Sequence, residues 1–238
     1  MQNFFAPTDA FSAREVSLTG DEYFHATRSC RVRPGEIVGV TDGFGRRVEA
    51  RIADIDHERL TAEILRDMSG AGEPAVAVTV ALALIQPSRF EFAVEKCTEL
   101  GARRFVPVVA ERCTVKPGRL KPGRLRTIAL AAMKQAGRSW LPEIAEPAPL
   151  REMLSHARGT VLAALRNANH RIGEVVGAES PMKAATLLVG PEGDFTDDEQ
   201  SFLIEGGAVP VSLGGLTLRS ETAAVAGVSI LCGAVRRE

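Results

Sequence analysis

AVAVTVALALIQPSRFEFAVEKCTELG, residues 75–101, decides the fold class. Its first ten residues are almost continuously apolar, the texture of a strand covered on both faces, since a strand with one wet face would alternate. In the part that follows, Phe90, Val94, Cys97 and Leu100 fall on one helical stripe, and Gly101 stands where a helix ends. A buried strand leading into an amphipathic helix is the repeating unit of a parallel sheet. Strand-like runs recur downstream in FVPVVA (105–110), TVLAAL (160–165), ATLLVG (185–190) and AVPVSL (208–213), with helical stretches between them. The alternation predicts an α/β domain with a mainly parallel sheet, which carries its ligand at the carboxyl ends of the strands.

Upstream of this stretch the texture is different. EIVGVTDGFGRRVEARIADI (36–55) holds two strand-like runs about Asp42-Gly43, in which Val48, Ala50 and Ile52 alternate with Glu49 and Arg51. RLTAEILRDM (59–68) reads as a further strand, and RPGE (33–36) as a tight turn. Several short strands separated by turn signals predict a small β-barrel. SGAGEP (69–74) is the natural linker, so the expected division is a β-domain over 1–72 and an α/β domain over 73–238.

With 45% apolar and 25% charged residues in 238, the composition is that of a soluble globular chain large enough to bury a substantial core. No apolar stretch has the ~20 residues of a membrane span, and MQNFFAPTDAF lacks the basic start and apolar run of a signal peptide, so a cytoplasmic location is expected. Cys30, Cys97, Cys113 and Cys232 form no CxxC pair, and HExxH is absent. Free thiols and no metal are therefore expected. A net charge of −1 does not exclude nucleic acid, because local clusters count for more than the sum. Arg112, Lys116, Arg119, Lys121, Arg124 and Arg126 form one such run without an acidic residue among them, and Arg28, Arg31 and Arg33 form a second.

Two loops carry the chemistry. In LLVGPEGDFTDDE (187–199) an apolar strand reaches Gly190, the chain turns, and Thr196 and Glu199 stand at capping-box spacing before a helix. Strand, Gly-rich turn and helix N-terminus make an anion cradle. Yet Glu192, Asp194, Asp197 and Asp198 crowd it with negative charge. In VSLGGLTLRSETAAVAGVSIL (211–231) a short strand ends at Gly214-Gly215, and Ser220 stands ready to cap a helix starting near Thr222. Neither loop contains GxGxxG or a P-loop lysine. A ligand that uses backbone amides and carries positive charge suits both loops. S-adenosylmethionine, with adenine, an uncharged ribose and a sulfonium, has that character; acidic residues that merely favour a solvated helix N-terminus are the other reading.

LLVGPEGDF and SLGGLTLRSETA together closely resemble the paired cofactor motifs of the RsmE family, the uridine-N3 methyltransferases of the SPOUT superfamily. HATRSCRVRPGE (25–36) is similar to the family's HxxxVLRxxxGD, RFEFAVEKCTELGA to its helix ending in ELG, and MKQAGRSWLPEI (133–144) to its EQxxRxxxPxI element. The resemblance implies a PUA-like barrel, a SPOUT α/β domain with a trefoil knot, and a homodimer. It further implies that S-adenosylmethionine is bound between the motif loops by Gly190, Pro191, Glu192, Gly193, Leu213, Gly214, Leu218, Arg219, Ser220 and Thr222. The implied substrate is a uridine of 16S rRNA in the small ribosomal subunit. The chain departs from the family in having GPEGD for GPEGG, which places Asp194 where a side chain is usually absent. It also has SCR for VLR at residues 29–31 and Ser220 in LRSETA for LRTETA.

Methyl transfer from a sulfonium is an in-line displacement, so positioning dominates, and the N3 proton of uridine must be accepted or the resulting charge stabilised. Arg219 is a candidate for stabilising that charge. Glu221 is a candidate base or a holder of Arg219, and Arg166, at the end of TVLAALR, a third candidate. For RNA, Arg28, Arg31 and Arg33 come first, followed by Arg112, Lys116 and Arg119; with 5% aromatic residues, phosphate contacts are expected rather than base stacking. A SPOUT enzyme acting on a ribose 2′-oxygen and a non-catalytic RNA-binding factor are the competing readings.

Overall fold

The computed structural model describes residues 1–178 and 182–234. The chain divides into two units, Met1–Glu73 with Leu130–Leu141, and Pro74–Ala129 with Pro142–Glu238. The expected boundary near residue 72 is therefore joined by a second, non-contiguous segment that composition does not mark.

In the first unit β1 (Asn3–Phe5), β2 (Glu15–Thr19), β3 (Ile37–Thr41), β4 (Arg47–Ile55) and β5 (Arg59–Asp67) form one sheet in the order β1-β3-β4-β5-β2. The β1–β3 pairing is parallel and the others are antiparallel. As expected from the alternation, Val48, Ala50 and Ile52 are buried and Arg51 is exposed. The β4–β5 register shifts between Glu49/Ala50 and between Ile52/Asp54. Such irregularities bend and twist a strand, and the sheet curls as a half-barrel around Phe4, Leu18, Val40, Ile52 and Leu60. RPGE closes as a turn, with Glu36 N–H donating to the Arg33 carbonyl at 3.1 Å. Between β2 and β3 run α1 (Gly20–Phe24) and one π-helical turn, His25–Ser29.

Glu73 anchors the returning segment. Its carboxylate accepts from Arg138 Nη2 at 2.7 Å, Ser139 N at 2.8 Å and Trp140 N at 3.2 Å, and both side chains of the ion pair are at least nine-tenths buried. Burial by itself would raise the Glu73 pKa; the Arg138 hydrogen bond and charge and the two backbone amides outweigh it and hold the carboxyl below its ordinary value.

The second unit is built on β6 (Ala77–Ala83), β7 (Arg104–Val109), β8 (Glu143–Ile144), β9 (Ala148–Pro149), β10 (Thr160–Ala164), β11 (His170–Arg171), β12 (Ala184–Val189) and β13 (Val209–Ser212). Their order is β11-β13-β10-β12-β6-β7-β8, with β9 also paired to β7, and every pairing is parallel. The helices are α2 (Pro87–Leu100), α3 (Pro122–Ala136), α4 (Leu150–Ser155), α5 (Ile172–Ala178), α6 (Asp197–Glu205) and α7 (Ser220–Ala234), with α3 divided between the units at Ala129 and Leu130. The apolar run of residues 75–84 holds β6, an interior strand flanked by β12 and β7, which is why it does not alternate. On α2 the stripe holds at Phe90, Val94 and Cys97, which are fully buried, while Leu100 at its end is half-buried. Gly101 caps that helix at φ 114°, and a Cβ there would collide with Pro74. Among the described residues no helix is long and apolar enough to cross a membrane.

Candidate functional site

An open cleft lies at the carboxyl ends of β10, β12 and β13, where a parallel sheet was expected to carry its ligand. Ala164, Leu165 and Arg166 line it from the end of β10, Val189 to Glu192 and Asp194 from the loop after β12, and Val211 to Leu218 with Ser220 and Ala223 from the loop after β13. The two glycine-bearing loops do face one another across one pocket.

The first loop is fixed at both ends. Asp194 N–H donates to the Pro191 carbonyl at 2.9 Å, closing a turn over Glu192 and Gly193. The capping box forms as the spacing predicts: Glu199 N–H donates to Thr196 Oγ1 at 3.2 Å and Thr196 N–H to Glu199 Oε2 at 3.0 Å. The other Glu199 oxygen accepts from Glu111 N at 2.8 Å, which ties the chain after β7 to the same helix start. Arg112 then reaches back, donating from Nη1 to the carbonyl of Gly193 at 2.8 Å.

Asp194, the departure from the family pattern, adopts φ 62°, the left-handed region where a glycine is at ease. Aspartate tolerates this conformation because its short side chain bonds locally, and here Oδ1 accepts from Phe195 N at 2.8 Å. Oδ2 lies 3.7 Å from Arg166 Nε at the cleft. The replacement therefore keeps the glycine-type backbone and adds a carboxylate beside the one arginine lining the cleft among the described residues.

The second loop offers what the first lacks. Gly214 takes φ 140°, and no hydrogen bond within the described residues takes up the amides of Leu216, Thr217 and Leu218. Unspent backbone donors beside Leu165, Val189, Val211, Leu213 and Ala223 suit a ligand with a polar heteroaromatic edge and an apolar face. This donor set fits S-adenosylmethionine. α7 begins at Ser220, and the Arg219 carbonyl accepts from Ala223 N at 2.8 Å, so Arg219 rather than Ser220 is the capping residue, and Ser220 is buried in the first turn.

Of the expected cofactor residues, Gly190, Pro191, Glu192, Leu213, Gly214, Leu218 and Ser220 line the cleft. Gly193, Arg219 and Thr222 stand outside its lining, Thr222 on the exposed side of α7. Of the expected catalytic groups, Arg166 lines the cleft and Arg219 is exposed at its rim. Glu221 is not paired with Arg219. It is 7% exposed and faces Arg89 Nε of α2 at 3.8 Å, and the same Arg89 donates from Nη1 to Glu192 Oε1 at 2.9 Å. Arg89 opens the RFEFAVEKCTELGA stretch and lies in neither cofactor loop, so nothing local marks it as the partner of Glu192 and Glu221. The four carboxylates of the first loop divide by role: Glu192 and Asp194 line the cleft, whereas Asp197 and Asp198 sit in the first turn of α6, where the helix dipole favours them.

Arg28, Arg31 and Arg33 are exposed, with the Arg28 guanidinium 4.6 Å above the Phe24 ring and Arg31 at φ 54°. Lys116 and Arg119 are exposed on a short turn. Arg112 is exposed too, but its guanidinium is spent on loop carbonyls, and Arg124 donates from Nη2 to Glu91 Oε2 at 2.7 Å. The basic run is thus partly structural.

Residues 72–232 match the family described as an RNA methyltransferase domain, and residues 18–65 an RNA methyltransferase PUA domain. The chain is similar to the ribosomal RNA small subunit methyltransferase E of Synechocystis sp., 36% identical over 87% of this chain and 69% of the relative. It is 33% identical to the protein of the same name from Mycobacterium tuberculosis, over 93% of this chain and 87% of the relative. Among solved structures it is similar to the ribosomal RNA small subunit methyltransferase E from Neisseria gonorrhoeae bound to S-adenosylmethionine. That pair has a TM-score of 0.84 and 30% identity over 96% of this chain and 95% of the other.

Proposed function

This chain belongs to the RNA methyltransferase family that includes the ribosomal RNA small subunit methyltransferase E proteins, and on that premise we propose that it methylates N3 of a uridine in 16S rRNA. The observation that carries the reading is the cleft between the two motif loops, with its unspent amides and apolar walls at the carboxyl ends of β10, β12 and β13. S-adenosylmethionine, when bound there, supplies an electrophilic methyl group and needs no metal.

The chain's own residues then have three tasks. The first is to hold the loops, through the Thr196–Glu199 capping box and the Arg112 bond to the Gly193 carbonyl. The second is to stabilise negative charge as N3 of the uridine loses its proton. Arg219, exposed and with no ion pair among the described residues, takes that task, and Arg166, which lines the cleft 3.7 Å from Asp194, is the second candidate for it. The third is to grip RNA, which falls to Arg28, Arg31 and Arg33 in the first unit and to Lys116 and Arg119 in the second. A homodimer and a knotted second unit, which follow from the resemblance, and a cytoplasmic location belong to the same proposal.

The test is to incubate the purified chain with methyl-labelled S-adenosylmethionine and small subunits from cells lacking the gene, digest the rRNA and identify the labelled nucleoside. Label in 3-methyluridine is expected; label in a 2′-O-methylated nucleoside, or none, refutes the reading. Arg219→Ala is expected to lower turnover far more than cofactor affinity, and equal losses in both would remove Arg219 from the chemistry.

A further inference from the structure

Arg89 opens the RFEFAVEKCTELGA stretch and belongs to neither cofactor motif, yet its guanidinium stands between the two. It donates to Glu192, in the loop after β12, at 2.9 Å, and its Nε lies 3.8 Å from Glu221 Oε1, in the first turn of α7 just beyond the second loop. Glu221 is 7% exposed, and its other oxygen, Oε2, is buried without a hydrogen-bond partner among the described residues. Arg89 is the cation that faces this carboxylate, at 3.8 Å from its Oε1. The charged groups around it that the structure identifies are Arg89 and, through Arg89, Glu192.

We propose that Arg89 is a positioning residue of the cofactor site: one guanidinium, holding a carboxylate from each side, fixes the spacing of the two loops that wall the cleft. The inference rests on the methyltransferase reading above, because only a ligand held by both loops would report their spacing. A planar fork with donors pointing in different directions can hold two carboxylates at once, which a single ammonium does poorly. Half-exposed ion pairs such as Arg89–Glu192 add little to global stability. Loops ordered before the ligand arrives, by contrast, lower the ordering cost that binding would otherwise meet. A positioning role therefore predicts a loss that appears in cofactor affinity more than in melting temperature.

The experiment is calorimetric titration of S-adenosylmethionine into the full chain as wild type, Arg89→Gln, Arg89→Lys, Glu192→Gln and the Arg89→Gln/Glu192→Gln double variant, with thermal melts of each. Arg89→Gln is expected to weaken binding roughly tenfold, about 1.4 kcal/mol. Arg89→Lys should recover part of the loss, and the double variant should bind no worse than Arg89→Gln, since the pair is already broken. If Arg89→Gln melts early, the charge-keeping Arg89→Lys carries the comparison with Glu192→Gln. Unchanged affinity in Arg89→Gln, additive losses in the double variant, or a stability loss with full affinity each overturn the inference. Failure of the wild-type chain itself to bind S-adenosylmethionine overturns both the inference and the reading beneath it, whereas wild-type binding with an unaffected Arg89→Gln overturns the inference alone.

Discussion

Glu73→Ala should cost the first unit most of its hold on the segment Leu130–Leu141. The Glu73 carboxylate receives Arg138 Nη2 at 2.7 Å, Arg138 Nε at 3.2 Å, Ser139 N at 2.8 Å and Trp140 N at 3.2 Å, and neither member of the ion pair is more than about a twentieth exposed. Removing one partner of a buried pair leaves the other charge uncompensated, which costs about 3–5 kcal/mol. The two backbone amides left without an acceptor act in the same direction but not additively. With a urea slope of roughly 2 kcal/mol per molar, the unfolding midpoint should fall by about 2 M. The chain's single tryptophan, Trp140, lies in the segment, so its fluorescence reports the transition locally. The control is Glu49→Gln, whose exposed partner Arg66 makes the pair worth at most about 1 kcal/mol. The pH dependence has a definite sign. The Glu73 pKa is lower in the folded chain, so its contribution is fully present above the ordinary value of 4.5 and is lost as pH falls through the lower folded value. The gap between wild type and Glu73→Gln should therefore be full at neutral pH and shrink only on acidification below that range. A Glu73→Ala midpoint within error of the Glu49→Gln control, or a gap that widens in acid, would refute the reasoning.

Three further outcomes follow from the site and its surroundings. Because Asp194 sits at φ 62°, Asp194→Gly should be more stable than Asp194→Ala by about 1 kcal/mol in thermal denaturation, and the reverse order would contradict a left-handed backbone there. Arg112→Ala should weaken S-adenosylmethionine binding while leaving the salt dependence of RNA binding intact. Replacing Arg28, Arg31 and Arg33 should instead flatten the slope of log affinity against log salt by about one for each phosphate no longer neutralised. Burial raises the Cys97 thiol pKa, with the nearby Cys232 acting in the same direction, so Cys97 should resist alkylation at pH 8 in the native chain and react once urea unfolds it.

What the sequence determined, it determined through local and periodic signals. The nearly continuous apolar run of residues 75–84 has the texture of a strand covered on both faces, and it supplies β6, an interior strand of the parallel sheet. Thr196 and Glu199 are three residues apart, and a capping box needs nothing more distant than that. The half-buried alternation of Val48, Ala50 and Ile52 placed β4, and the two glycine-bearing loops named the cleft.

What only the tertiary structure decided are the pairings between residues far apart in the chain. Arg138 is the arginine of the MKQAGRSWLPEI stretch, but nothing in that stretch shows that its partner is Glu73, 65 positions away. Arg112 reads as part of an RNA-binding run, yet it spends its charge on the Gly193 carbonyl, 81 residues on. Glu221 reads as a partner for its neighbour Arg219, but residues two apart at a helix start point in different directions, and Arg89 of α2 is the cation that reaches it. Periodicity and capping follow from the geometry of the chain next to each residue, whereas which charge neutralises which depends on how strands order themselves in the sheet, and no local pattern encodes that order.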